Sequence, residues 1–538
     1  MGFTSYKFLI LFLPITLVAY FLCRRGGKNT LAKGVLAGAS LIFYCTYGYV
    51  PLLILIADCI VNWNLSHALS KYGKDESGKG KKSLVLGLGI VLNVALLLYF
   101  KYFNFFAGNI VSLKGGEFTA WNIIQPAAIS YYTFQQIAWL VDSSRGETSE
   151  YSFLDYAVFI FFFPKLIMGP IILHEEFIPQ LNDSKRFRPD YENLSKGMIW
   201  FTVGLSKVLL IEPMFTFGVQ YGFTVLSGLS IVEAWFCSLA FTLQLYFDFS
   251  GYCDMAAGMA LMMNLDLPQN FNSPYKAVSI GDFWKCWHIT LTRFLRKYIY
   301  FPLGGNRKGA FRTYLNIIII FLVSGFWHGA NWTFIVWGAI HGVIMVVERL
   351  VGISARDKAS AKAGNPGMTA YIGNAIVDNS TTISDDKIFK SNSGSGADAG
   401  VSEAGGIVDG NVWIKRIITA IRRIITFIIV DIAWIFFRAD SLSDAVAFIK
   451  QMFIPDNIMP DAQFYNSFGL NDFAFATRHL NIFVPMLFAG ALAMVFFGKN
   501  IYETKYKPTL LTAIVTAVLF LASFVCLGNA ADFIYFKF

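Results

Sequence analysis

Two histidines stand in Trp-His pairs, Trp287-His288 and Trp327-His328, within a stretch from Asp282 to Gly342 that also carries a basic amphipathic segment, a Pro-Leu-Gly-Gly break and an apolar run. A titratable ring in sequence apolar enough for lipid is costly to place, so such residues are functional-site candidates by default. Near neutral pH an imidazole can take a proton from a hydroxyl. His328 lies in SGFWHGANW, where Gly325 and Gly329 remove bulk on both sides and would let a substrate approach the ring. The plainer alternative is a core histidine bonded to a backbone carbonyl. His288 shares a helical stripe with Leu291 and Leu295, which turns it toward protein. It reads as a partner that orients substrate or shares proton transfer, or else as a structural histidine capping a broken helix. Cys286 does not make a Cys-His pair with it, because side chains two residues apart on a helix diverge by about 200°. His341 fits packing better than chemistry.

Other chemistries lack their residues. There is no His-Glu-x-x-His, no phosphate-binding Gly-rich loop with Lys, and no Gly-x-Ser-x-Gly. None of the six histidines has an acid five residues on, which excludes the His-x4-Asp arrangement of soluble-type glycerolipid acyltransferases. No metal site is expected. Asp248 and Asp254 fall in apolar sequence and need partners, for which the Arg and Lys residues of 293–297 are the candidates. Lys285, Arg293, Arg296, Lys297, Arg307 and Lys308 could grip donor phosphates or simply anchor loops.

The elements that must position these groups are membrane helices. The chain of 538 residues is 55% hydrophobic and 15% charged, with mean hydropathy +0.52; a soluble domain carries about 25% charged residues. Apolar windows of spanning length recur along it, without the alternating pattern of an outer-membrane barrel. The net charge of +9 fits basic cytoplasmic loops rather than nucleic acid. The seven cysteines are scattered, with no Cys-x-x-Cys, so neither a disulfide framework nor a thiolate site is expected. The first apolar run, 7–23, is followed by Arg24-Arg25 and reads as a retained span. Further spans are expected at 34–69 (two), 84–106, 124–141, 198–226, 231–263, 313–329, 331–349, 417–437, 481–497 and 508–528, about eleven or twelve in all. Residues 153–173 contain Pro164, Lys165, Gly169 and Pro170 and should form a broken helix packed inside the bundle. Segment 283–300 should be one amphipathic, interfacial or re-entrant helix. The resulting fold class is an all-α polytopic membrane protein.

Several stretches together carry a resemblance: KYFNFF (101–106), ISYYTFQQIAWLVDSSRG (129–146), FFPKLIMGPI (162–171), LQLYFDFSGYCDMAAGMALMMN (243–264), QNFNSPY (269–275), DFWKCWHITLTRFLRKYIYFPLGGNR (282–307), SGFWHGANWTFIVWGAIHG (324–342) and AWIFFRADSLSDA (433–445). In these the chain resembles the membrane-bound O-acyltransferase (MBOAT) family, in its alginate O-acetyltransferase-like bacterial branch. The resemblance implies a helical bundle, with re-entrant helices, around a central tunnel. It makes His328 the catalytic histidine and His288 the second active-site position, which is Asn in many eukaryotic relatives. Trp287, Trp327, Asn331, Lys285 and Arg293 become the candidate substrate contacts. It also implies acetyl-CoA as acyl donor with no permanently bound cofactor, a polysaccharide acceptor, a separate extracytoplasmic acetyltransferase as partner, and residence in the cytoplasmic (inner) membrane among lipid. Two other functions stay open: D-alanyl transfer to teichoic acid from a carrier-protein thioester, and a transporter or scaffold without acyl chemistry.

The expected domains are a transmembrane core at 1–351, a flexible polar insert at 352–411, and C-terminal helices at 412–538 with an extracytoplasmic segment near 438–479. The insert is rich in Gly, Ala, Ser, Asp and Asn and can bury little apolar surface. Deleting it should therefore leave a folded, monodisperse protein in detergent; loss of the folded species would refute this.

Overall fold

The computed structural model describes residues 1–72, 79–352, 409–454, 458–468, 479–504 and 507–529. Every regular element among them is helical. Eight helices are long and apolar enough to cross a membrane: Lys7–Arg25, Tyr49–Tyr72, Lys79–Leu113, Tyr191–Ile211, Gly309–His328, Trp332–Leu350, Leu480–Phe497 and Leu510–Gly528. Their outward faces carry large apolar side chains such as Leu22, Leu84, Leu88 and Val518, the surface that lipid requires. The expected insert, 352–411, lies outside the described residues except at its two ends, and so does 469–478.

A different helix organises the interior. Ile231–Met262 is 32 residues long, about 48 Å, and every residue from Ala240 to Met262 is buried. A helix that is apolar all round belongs inside a bundle. It starts with a capping box between Ser230 and Glu233 and lies against the Tyr191–Ser206 helix at paired glycines. A Cβ on Gly204 would stand 2.5 Å from the Gly251 carbonyl oxygen, and one on Gly197 would stand 2.6 Å from that of Gly258. Lipid tails supply no hydrophobic force between helices, so close backbone packing of this kind does much of the holding. The same pair of elements buries an ion pair. Lys207 Nζ sits 2.6 Å from Asp254 Oδ2, so the partner of Asp254 is Lys207 and not the basic set at 293–297.

Residues 153–173 break as expected. Ser152 and Asp155 form a capping box for Phe153–Phe161, the chain turns at Phe162 (φ −43°, ψ 103°), and a short turn Phe163–Leu166 follows. All residues from Asp155 to His174 are buried. Lys165 Nζ donates to Gln135 Oε1 at 2.5 Å and lies over the Phe159 ring, so the cation is enclosed by protein. At one pole Arg24 donates to the carbonyls of Leu181 (2.8 Å) and Arg186 (3.0 Å), which brings two basic loops together. Residues 198–226, expected as one span, are two pieces, Tyr191–Ile211 and Pro213–Val225. Proline suits the first turn of a helix, where its missing N–H leaves no bond unmade.

Gly204→Ala should lower the unfolding temperature in detergent, because a backbone must move; overpacking of this kind costs about 1–3 kcal/mol. Gly87→Ala is the control, since a Cβ there meets nothing within 4 Å. Equal unfolding temperatures for the two variants would refute the contact's importance.

Candidate active site

The 283–300 segment is not one helix. Ile280–Cys286 is capped by Ser279 Oγ, which accepts from the Asp282 N–H. The chain then breaks at Trp287 and His288, and a second helix, Ile289–Leu295, begins. His288 itself takes the left-handed conformation, φ 44° and ψ 52°. That conformation is strained for a residue with a Cβ and persists only where its surroundings impose it. The surroundings here centre on Asn270. Its Oδ1 accepts from the Thr290 N–H (3.2 Å), from Thr290 Oγ1 (2.9 Å) and from His288 Nδ1 (3.1 Å). The Ile289 N–H goes to the Asn270 carbonyl at 3.0 Å.

These partners fix the tautomer of His288. A backbone N–H only donates, so the atom facing Thr290 N is the amide oxygen, and the His288 nitrogen that meets the same oxygen carries the proton. In the neutral ring the other nitrogen is then the acceptor. His288 Nε2 is buried with no hydrogen-bond partner among the described residues.

His328 ends the Gly309–His328 helix and is buried. Its Nδ1 lies 2.6 Å from the Ser324 carbonyl, which only accepts, so Nδ1 again donates and Nε2 holds the lone pair. The two rings meet around one indole. The Trp327 ring centroid is 6.1 Å from His288 and 5.0 Å from His328. The Trp327 Nε1–H donates to the Ser130 carbonyl at 3.1 Å, and its ring stacks on Phe134. The structure thus brings the two sequence-predicted histidines to one indole, with the lone pair on the same nitrogen of each ring.

The flanking glycines also serve helix packing. A Cβ on Gly325 would overlap the Phe334 carbonyl oxygen of the Trp332–Leu350 helix, and one on Gly338 would overlap that of Phe321. Gly329 faces the Phe334 ring. These glycines let the two helices of the hairpin touch, which presses Trp337 against the His328 ring at 5.1 Å. His341 lies in the same hairpin but accepts at Nδ1 from Trp284 Nε1 (3.3 Å) inside an aromatic cluster, the opposite tautomer from the other two.

A cavity of about 440 Å³ adjoins the end of the histidine helix, lined by Lys101, Gln244, Gly329, Asn331, Phe437 and Arg438 among others. Neither imidazole is in its lining, but the Phe437 ring meets His328 at 5.3 Å. Of the candidate substrate contacts, Asn331 lines this cavity and caps the Trp332–Leu350 helix. Trp287 packs between Phe271 and Trp434, both at 5.0 Å. Lys285 pairs with Asp282 (3.1 Å), and Arg293 pairs with Glu176 and the Ile171 carbonyl; neither lines the cavity. Asn270 and Lys101 were inside the motifs quoted from the sequence without a role, since nothing local marks their partners. Away from the imidazoles, Asp142, Glu147 and His174 bring ligand-type atoms within 4.8 Å of one another. Asp142 already holds Tyr298 Oη (2.6 Å), Arg145 (3.3 Å) and Lys297 (3.5 Å), and two cations on one carboxylate oppose a third.

Comparison with known proteins gives this arrangement a context. Residues 40–382 match MBOAT, the membrane-bound O-acyltransferase family. The chain is 40% identical over 380 residues to the peptidoglycan O-acetyltransferase of Helicobacter pylori, covering 66% of this chain and 71% of that protein. It is 36% identical over 363 residues to the probable alginate O-acetylase AlgI of Pseudomonas aeruginosa, covering 66% and 68%. The teichoic acid D-alanyltransferase of Bacillus subtilis matches at 26% over 238 residues, 42% of this chain and 59% of that protein. The helical membrane bundle, the match to the family over more than half the chain and these relatives together establish that the chain belongs to the membrane-bound O-acyltransferase family and is an O-acyltransferase.

Proposed function

We propose that this enzyme transfers an acetyl group from a cytoplasmic thioester, acetyl-CoA, to a hydroxyl that serves O-acetylation of a cell-wall or extracellular polysaccharide. The observation that carries the chemistry is the pair of imidazoles around Trp327, each with Nδ1 engaged by an oxygen and Nε2 left as the acceptor. The names of the relatives, peptidoglycan O-acetyltransferase and alginate O-acetylase, favour acetyl as the group and a polysaccharide as its destination. D-alanyl transfer is the second reading; it is favoured only by a match over a smaller share of the chain.

In this mechanism His328 is the general base. The acceptor hydroxyl oxygen bonds to the thioester carbonyl carbon while its proton passes to His328 Nε2. The tetrahedral intermediate collapses, the carbon–sulfur bond breaks, and the imidazolium returns the proton to the departing thiolate. That hydroxyl has a single proton, which His328 takes; His288, with its lone pair on Nε2, accepts a hydrogen bond from a second donor on the acceptor, such as a neighbouring hydroxyl, and so orients it. The enzyme would sit in the cytoplasmic membrane with the pole of Arg24 and Arg186 inward, as basic loops dictate. The thioester arrives from that side, and the acceptor or a separate extracytoplasmic acetyltransferase from the other, where Gln125 and Asn331 line the cavity.

His328→Ala should fold and insert normally but lose about 10²–10⁴-fold in transfer, the usual worth of a general base. His288→Asn should keep part of the rate, since an amide can accept the same hydrogen bond and asparagine tolerates the left-handed backbone; His288→Ala should lose more. Thiol release by purified protein given acetyl-CoA and a hydroxyl acceptor measures both. Wild-type rates from His328→Ala would overturn the assignment, and turnover only with a D-alanyl carrier protein would favour the second reading.

A further inference from the structure

The last carbonyls of a helix have no partner within it and must find one elsewhere. The histidine helix ends without the left-handed residue that commonly closes such an end, because Gly329 is extended, φ −167° and ψ 156°. Two consecutive residues of another helix take its terminal carbonyls instead. Tyr102 Oη donates to the Phe326 carbonyl, and the two rings stack with centroids 4.1 Å apart. Lys101 Nζ donates to the Trp327 carbonyl at 3.0 Å and to the His328 carbonyl at 2.9 Å. Its third contact is Ser130 Oγ at 3.4 Å, on the residue whose carbonyl takes the Trp327 indole N–H. Both donors sit in a π-helical turn, Leu98–Tyr102, inside the Lys79–Leu113 helix. Such turns interrupt regular helices frequently at functional sites.

The ammonium is a matched cap for that end. A cation at a helix C-terminus meets the negative end of the macrodipole, and the three donors of the ammonium meet three oxygens. The consequence is geometric. The Nδ1–Ser324 bond fixes how the His328 ring is turned, and Lys101 with Tyr102 fixes where the end of the helix stands relative to Ser130 and the cavity, whose wall includes Lys101 itself. We propose that Lys101 is a positioning residue for His328, acting through the helix end and not through the substrate. The proposal rests on the acyl-transfer reading given above.

The test is a double-mutant cycle on the purified protein in detergent. Lys101→Met keeps the length of the side chain and removes the charge. It should lower kcat about 10- to 100-fold, the scale on which misplacement of about 1 Å acts, with KM for acetyl-CoA and the unfolding temperature little changed. Lys101→Arg, which can still reach two carbonyls, should restore part of the loss. In the His328→Ala background Lys101→Met should cost nothing further, because a residue that acts through another has no effect once the other is gone. A loss of the same size in that background would show that Lys101 acts on the substrate directly and would overturn the proposal. So would a fall in unfolding temperature with the kcat of the folded fraction intact. A second readout needs no acyl transfer: diethylpyrocarbonate modification of His328, followed by peptide mass, should be several-fold faster in Lys101→Met. If wild-type protein transfers no acetyl group, the functional reading fails and the modification rate alone decides; an unchanged rate overturns the positioning role.

Discussion

The close approach of two helix backbones sets the geometry of the interior. At Gly197 with Gly258 and Gly204 with Gly251, carbonyl oxygens occupy the space a side chain would need. That contact holds the Ile231–Met262 helix at one depth and one rotation. From there Phe249 meets the His288 ring edge-on at 4.9 Å, and Cys253 Sγ receives the Asn270 Nδ2–H at 3.3 Å. Asn270 in turn holds the strained backbone of His288. The path from packing to chemistry therefore runs through one helix with no lipid-facing role. A side chain at either glycine pair would displace the surface against which the histidine turn is built.

A second glycine contact does the same for the other imidazole. Gly325 and Gly338 let the Gly309–His328 and Trp332–Leu350 helices touch, and Trp337 then closes over His328. The two rings are thus placed by separate helix pairs, and both meet Trp327. The imidazoles are walled mostly by aromatic rings, while the cavity beside them is polar, with Lys101, Gln244, Asn331 and Arg438 in its lining.

Much of this was legible in the sequence, and the failures have physical causes. Spans such as 7–23, 313–329, 331–349 and 481–497 were readable because charges and breakers bound the apolar window, whereas 124–141 is the buried helix Ile129–Ser144 and 231–263 the interior helix; Pro164, Lys165 and Pro170 announced the broken segment. The break at His288 was not readable, because Trp and His are ordinary helix residues and the turn is imposed by Asn270, a partner remote in sequence. Gly325 and Gly329 were visible as missing bulk, but sequence cannot say whether substrate or a neighbouring helix fills the space; at Gly325 the helix does, while Gly329 faces the Phe334 ring and also lines the cavity. The carboxylate of Asp254 needed a cation, and composition alone offered the nearer basic cluster at 293–297 as readily as Lys207. Lys101 was marked only as a lone cation in the apolar window 84–106; its role was not legible, since its acceptors are backbone carbonyls that any sequence possesses.

The glycine pairs of the central contact have a further consequence for register. Gly197 opposes Gly258 and Gly204 opposes Gly251, so the two chains run in opposite directions and touch at an interval of one heptad. A straight α-helix drifts by only about 20° over that interval, so both glycines of each helix fall on nearly one stripe. Sliding one helix along the other by a single residue would bring a side chain against a carbonyl at both contacts at once.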